Sequence, residues 1–153
     1  MFIILILFII SVSALTAAQT IEVSSMKGRV QYRIKGAEWT DVTSGMQIPL
    51  GAVISTGFKS EAVLDLGNSE LFIKQLTRMS IQELSEKNKT VRTDLNLRLG
   101  RIKADVKTAK GLKHNFTIKT PVSTAAVRGT KFSFDSVNIK VDEGRVVFSN
   151  RNN

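Results

Sequence analysis

From Ile21 onward the apolar residues fall on every second position, the period of a strand with one buried face. Nowhere do they keep the three- and four-residue spacing of a helical stripe. Ile21 and Val23 open the pattern; Val30, Tyr32 and Ile34 continue it after Gly28, and Trp39 follows across a Lys35-Gly36 turn. Ile48, Leu50, Val53 and Ile54 lie among Gly45, Pro49 and Gly51, which predicts short, bent strands. Residues 62–66 and 71–73 predict a hairpin about the turn formers Gly67-Asn68-Ser69. Met79 and Ile81 alternate again, and residues 82–93 form a polar interruption. That interruption reads either as a long loop or as a hairpin with Lys87-Asn88-Lys89 at its tip. Leu95, Leu97 and Leu99 resume the alternation, Ile102, Ala104 and Val106 follow a break at Gly100, and residues 108–113 make a basic loop. The last strands are predicted at Phe116–Ile118, Phe132–Phe134, Val137–Val141 and Arg145–Phe148, the final pair joined through Asp142-Glu143-Gly144. The chain is therefore predicted to be all-β: a compact two-sheet sandwich or a short β-roll, with β-helix-like stacking as a further arrangement.

Two internal echoes bear on stacking. Ile54, Thr56, Ser60, Ala62 and Val63 align with Ile118, Thr120, Thr124, Ala126 and Val127 at a constant offset of 64. Gly28-Arg29-Val30 is echoed by Gly100-Arg101-Ile102 and by Gly144-Arg145-Val146. Repeats of this kind suit a duplicated β-unit, although matches this short also arise by chance among strands.

The first 18 residues carry no charge, and an unbroken apolar run, Phe2–Ile10, decays into small residues ending at Ala17-Ala18. This predicts a secretory signal peptide over residues 1–18, removed after Ala18 or, as a second option, after Ala14. The run departs from the usual pattern in having no Lys or Arg before it. Left uncleaved it would be an anchor, but Phe2–Leu15 falls short of the roughly 20 apolar residues of a span. Residues 19–153 then form one β domain, large enough to bury its own core. The chain has no cysteine, so disulfides and zinc–thiolate sites are excluded. An exported chain without disulfides fits the periplasm or cell envelope of a bacterium.

The formal charge is +9, with 11 Lys and Arg against 4 acids in residues 101–153 supplying +7 of it. A basic face built from Arg101, Lys103, Lys107, Lys110 and Lys113 suits an anionic partner: an acidic protein surface, lipid headgroups or a phosphorylated glycan. A solvated face fits the same residues. Nucleic acid is not expected, because no aromatic residues interleave the lysines to make a stacking platform and an exported chain rarely meets it. Catalysis has little to work with. The acids are scattered, His114 is the lone histidine and is expected at the surface of the basic loop, and no nucleophile elbow or phosphate loop is present. Glu83 and Glu86 read as a solvated acid pair, and Trp39 as a core or rim aromatic. No cofactor, no metal and no enzymatic activity are expected.

The most informative stretch is residues 116–134, FTIKTPVSTAAVRGTKFSF. Pro121 fixes its own φ and extends Thr120, and Gly129 allows a turn that a side chain would resist. Arg128 on that turn has the bidentate fork to grip a carboxylate or phosphate, or to clamp the turn internally. Thr120-Pro121, Thr124-Ala125-Ala126, Val127-Arg128-Gly129-Thr130 and Phe132 together resemble the signature segment of the FecR domain family. Weaker points of resemblance extend it to roughly Val23–Phe148: Gly28, Trp39, Ile54-x-Thr56-Gly57, Ser60, the 67–69 turn, Leu99-Gly100-x-Ile102 and Glu143-Gly144-x-Val146.

Named members of that family are sigma-factor regulators with a cytoplasmic helical segment, one membrane span and a periplasmic FecR domain. Only a signal-like run precedes Ile21 here, so the resemblance implies an exported β domain that binds something, without the anti-sigma activity. The expectation is a non-enzymatic protein-interaction or signal-relay module of the bacterial envelope. Its contact would use Thr120, Pro121, Arg128, Gly129, Thr130 and Lys131, with the basic face adding steering. The alternative is a module that binds cell-wall glycan or another anionic envelope polymer. Contact with the membrane is expected only through an uncleaved N-terminus.

Overall fold

The computed structural model describes residues 19–107, 110–135 and 138–150. The predicted signal peptide, Thr108 of the basic loop and Val137 lie outside the described residues, as do the side chains at 129, 130, 143, 144 and 150. Among the described residues there is no helix. The strands are β1 (Thr20–Lys27), β2 (Val30–Arg33), β3 (Thr40–Asp41), β4 (Gln47–Pro49), β5 (Val53–Thr56), β6 (Glu61–Asp65) and β7 (Ser69–Ile73). They continue with β8 (Arg78–Lys87), β9 (Thr90–Leu99), β10 (Arg101–Val106), β11 (Lys113–Lys119), β12 (Ser123–Asp135) and β13 (Ile139–Asn150).

The strands form a two-sheet sandwich whose sheets join through one long strand. The first layer runs β3-β2-β5-β8-β9-β11 and the second β10-β7-β6-β1-β4. β12 belongs to both: Thr124–Val127 pair with β11, and Lys131–Asp135 pair with β10. Its other edge carries β13. All pairings are antiparallel except β9 with β11, which is parallel.

A register shift between Arg128 and Lys131 lets β12 serve two layers. Before it the buried residues are Ser123, Ala125 and Val127; after it they are Phe132 and Phe134. The bulge thus switches the inward parity from odd to even positions, which a strand without an inserted residue cannot do. Gly129 lies in this bulged strand rather than on a turn between two strands, and the expected connection over 120–131 is mostly strand. Likewise Asp142-Glu143-Gly144 is not a connection, because β13 runs straight through it. The polar stretch 82–93 is not the long loop expected first but the alternative hairpin, between β8 and β9. It reverses at Asn88 (φ 51°) and Lys89 (φ 58°), the pair of left-handed residues that a two-residue I′ turn requires.

Alternate residues of both layers fill the interior, with Leu64, Leu71, Ile73, Leu95, Leu97, Phe116, Phe132 and Phe134 at most 1% exposed. Each such side chain stabilises the fold by about 1.5–3 kcal/mol. Phe116 on β11 meets Phe132 on the second half of β12 edge to face, with centroids 5.7 Å apart at 70°. That contact ties one layer to the other.

The offset-64 echo is not a structural duplication. Ile54 and Ile118, and Thr56 and Thr120, are buried alike, but Ala62 is buried where Ala126 is exposed, so the correspondence is lost along the echo. β5 and β6 also belong to different layers, whereas β11 and β12 pair directly. The Gly-Arg echo is real at two of its three places. At Gly28 (φ 74°) and Gly100 (φ 96°) the chain crosses between layers. In each case the N–H of the following arginine donates to a hydroxyl, Arg29 to Ser60 Oγ at 2.8 Å and Arg101 to Thr77 Oγ1 at 3.0 Å.

Candidate functional site

The β11–β12 hairpin is closed by Thr120. Its N–H donates to the Ser123 carbonyl at 2.8 Å, and its hydroxyl accepts from the Ser123 N–H at 2.9 Å and the Val122 N–H at 3.2 Å. Pro121 occupies the first central position of this turn, where its fixed φ is favourable. Thr120, expected in the partner contact, is buried with its hydroxyl satisfied inside the turn, which it holds closed. Pro121 and Val122 form the exposed tip.

Arg128 is exposed, on a strand and not on a turn, and makes no ion pair among the described residues. The internal clamp is therefore not what the structure builds. Its cross-strand neighbour on β13 is Arg145, also exposed and without an ion pair among the described residues. The two guanidinium groups line a shallow surface groove of about 550 Å³ with Asn115, Thr117, Ala126 and Val147. Asn115 in turn lies opposite Arg92 on β9. With strands about 4.8 Å apart, Arg92, Asn115, Arg128 and Arg145 make a row across four strands on one outer surface. Sequence reading missed Arg92 and Arg145, because only strand pairing makes residues 36 and 17 positions away neighbours of Arg128. The Gly144-Arg145 echo was the one available signal.

The remaining predicted residues divide. Gly129 and Thr130 form the bulge beside Arg128. Lys131 points from the second half of β12 to Asp105, 3.6 Å away. The basic run is not one face. Arg101 and Lys103 project from β10 in the second layer, Lys113 from β11 in the first, and Lys107 and Lys110 from the segment joining them. Several basic groups there are also engaged: Arg101 Nη2 is 3.6 Å from Asp135, and Lys119 Nζ is 3.3 Å from Asp94.

His114 is buried, not at the surface. Nε2 lies 3.1 Å from Thr93 Oγ1, and the ring packs 5.9 Å from Phe116. Burial pushes its pKa below the ordinary 6.5, partly opposed by a hydrogen bond with the Lys107 backbone. Trp39 is a half-buried rim aromatic with the Arg33 guanidinium 4.7 Å and that of Arg78 5.6 Å from the ring centroid. Among the described residues no group of three His, Cys, Asp or Glu is placed to hold a metal ion.

The family model described as "FecR protein" matches residues 52–150, about two thirds of the chain. The chain belongs to the FecR family. The match begins later than the Val23 read from the sequence, but it contains Arg92, Asn115, Arg128 and Arg145. Among curated proteins, none matches this FecR chain significantly. Its fold is similar to that of a solved structure described as a putative anti-sigma factor from Parabacteroides distasonis. That likeness has a TM-score of 0.51 at 16% identity, over 66% of this chain and 48% of the other. This FecR chain thus spans about half the length of that structure, and the likeness is one of fold.

Proposed function

We propose that this FecR domain is a non-enzymatic protein-interaction module that relays a signal in the bacterial envelope, and that it engages its partner through the outer surface around Arg128. One observation carries the reading. Arg128 and Arg145 stand side by side, exposed and without a carboxylate among the described residues. Like charges directly opposite on paired strands are mildly destabilising, so the pair is explained by an external anion better than by the fold. A guanidinium pair beside exposed Val147 (63%) suits an acidic protein surface that also offers an apolar contact. Membership of the FecR family and the fold shared with a putative anti-sigma factor support a regulatory role. The uncharged N-terminal run supports export.

The row that extends the pair to Arg92 favours a second reading, an anionic envelope polymer lying across the strands. The test uses a photo-reactive residue at Ala126, in the groove, with a control at exposed Lys35, in the turn after β2 and five strands from β12. A discrete protein captured from position 126 alone, and lost in Arg128→Ala/Arg145→Ala, is the expected outcome. Both arginines are exposed and without an ion pair among the described residues, so that variant should keep its stability to within about 0.5 kcal/mol. Heterogeneous wall material, released by moderate salt, would favour the polymer. Capture of nothing at position 126 would refute both.

A further inference from the structure

The chain crosses between layers at residues 28–29, 57–60, 74–77 and 100, and hydrogen bonds draw these segments together at one end of the sandwich. The Gly57 N–H donates to the Arg29 carbonyl at 2.9 Å, the Leu76 N–H to the Gly57 carbonyl at 3.1 Å, and the Lys74 N–H to the Arg101 carbonyl at 3.0 Å. The Thr56 hydroxyl donates to the Lys74 carbonyl at 2.6 Å and accepts from the Thr77 N–H at 3.0 Å. The scaffold is polar and closed. What it displays is apolar: Phe58 is 68% exposed, Leu76 55% and Leu99 62%. Leu76 (φ 55°) and Lys59 (φ 52°) hold left-handed backbone, where asparagine or glycine would be at ease. A tight turn that offers phenylalanine and leucine to water, with one of them strained, calls for an occupant.

The surroundings state the occupant's charge. Lys27, Lys59, Lys74 and Arg101 line a basin of about 500 Å³ beside these tips, together with Ser60, Gln75 and Glu61. Arg29 lies on the adjoining crossing. The acids facing them are Glu61, 3.0 Å from Lys74, and Asp135, 3.6 Å from Arg101. Lys27 and Lys59 make no ion pair among the described residues. Lysine is depleted at the centres of protein interfaces, and three separate tips do not make the roughly 800 Å² of a standard protein contact. Apolar side chains that enter an acyl boundary, ringed by lysines that meet phosphates, are what a lipid surface takes up.

We propose that this end of the domain docks on an anionic lipid bilayer, with Phe58, Leu76 and Leu99 entering the interface and Lys27, Lys59, Lys74 and Arg101 meeting the headgroup phosphates. The proposal uses none of the Arg128 surface and stands apart from the relay reading.

The chain has no cysteine, so single positions can be labelled. Full-length Phe58→Cys, Leu76→Cys and Lys89→Cys, each carrying a polarity-sensitive fluorophore, are mixed with phosphatidylglycerol–phosphatidylcholine vesicles or with phosphatidylcholine alone. Lys89 lies at the other end of the β8–β9 hairpin, ten residues of strand away or about 33 Å. The label should shift to the blue and be quenched by lipid-borne quenchers at positions 58 and 76, not at 89, and only with the anionic lipid. Lys59→Ala/Arg101→Ala should lower vesicle partitioning about 30-fold while leaving the unfolding midpoint in place. An equal response at 58 and 89 would mean that the apolar N-terminus alone carries the chain, and would overturn the proposal. So would no response to anionic vesicles, or the same shift with inorganic phosphate and no vesicles.

Discussion

Gly100→Ala tests the physical account of the crossing end most directly. Gly100 has φ 96°, a conformation that costs an L-residue about 1–2 kcal/mol. A Cβ there would also lie 2.4 Å from Thr77 Oγ1, 2.5 Å from Thr77 Cα and 2.7 Å from the Leu76 carbonyl oxygen. Two of those three atoms are backbone, so no rotamer change relieves the overlap, and overpacking of this sort costs about 1–3 kcal/mol. The two terms sum to about 2–5 kcal/mol. Gly51→Ala is the control, because Gly51 has φ 83° and no heavy atom within 4 Å. It meets the conformational cost alone, so Gly100→Ala should exceed it by about 1–3 kcal/mol. The assay is urea unfolding, in which such a difference moves the midpoint by about 1 M at an unchanged slope. Adding Thr77→Ala to Gly100→Ala should not rescue the loss, since the backbone contacts remain. Equal costs at Gly51 and Gly100, or full rescue by Thr77→Ala, would refute the reasoning.

Two further outcomes follow from the interior. The folded His114 holds its proton less firmly than the unfolded chain, its pKa lying below 6.5. Stability is therefore insensitive to this group above the ordinary value and falls as the pH drops through it toward the folded pKa. His114→Gln should flatten the pH dependence of the urea midpoint between about pH 8 and about pH 5, and an unchanged slope would show that another group sets it. Thr56→Val keeps the volume but leaves the part-buried Lys74 carbonyl and the buried Thr77 N–H without their hydroxyl partner. It should cost about 1–3 kcal/mol, and Thr56→Ser should recover most of that; equal losses in both would place the effect in packing.

Several features were legible in the chain because they are local. Period-two alternation depends only on which residues face a common interior, so the all-β class and most strands could be read from Ile21 to Phe148. The 67–69 turn was legible because turn chemistry is set by a few adjacent residues, whereas 87–89 stood only as the alternative to a long loop. The Thr120–Lys131 segment carried the family resemblance in its own order of residues, and the FecR match includes it.

What tertiary structure decided is where pairing brings distant residues together. The bulge at 128–131 was read as a turn because a glycine marks both, and only the two partners of β12 distinguish them. His114 was read as solvated from its lysine neighbours in sequence, but alternation along β11 turns it inward onto Phe116. The basic run 101–113 was read as one face, yet its strands part into two layers. Conversely, Arg145 came to Arg128, and Phe58, Leu76 and Leu99 came to one end, through hydrogen bonds between segments that the sequence holds far apart. A surface is a sum over strand pairings, and a linear order of residues contains the alternation of each strand but not the list of its partners.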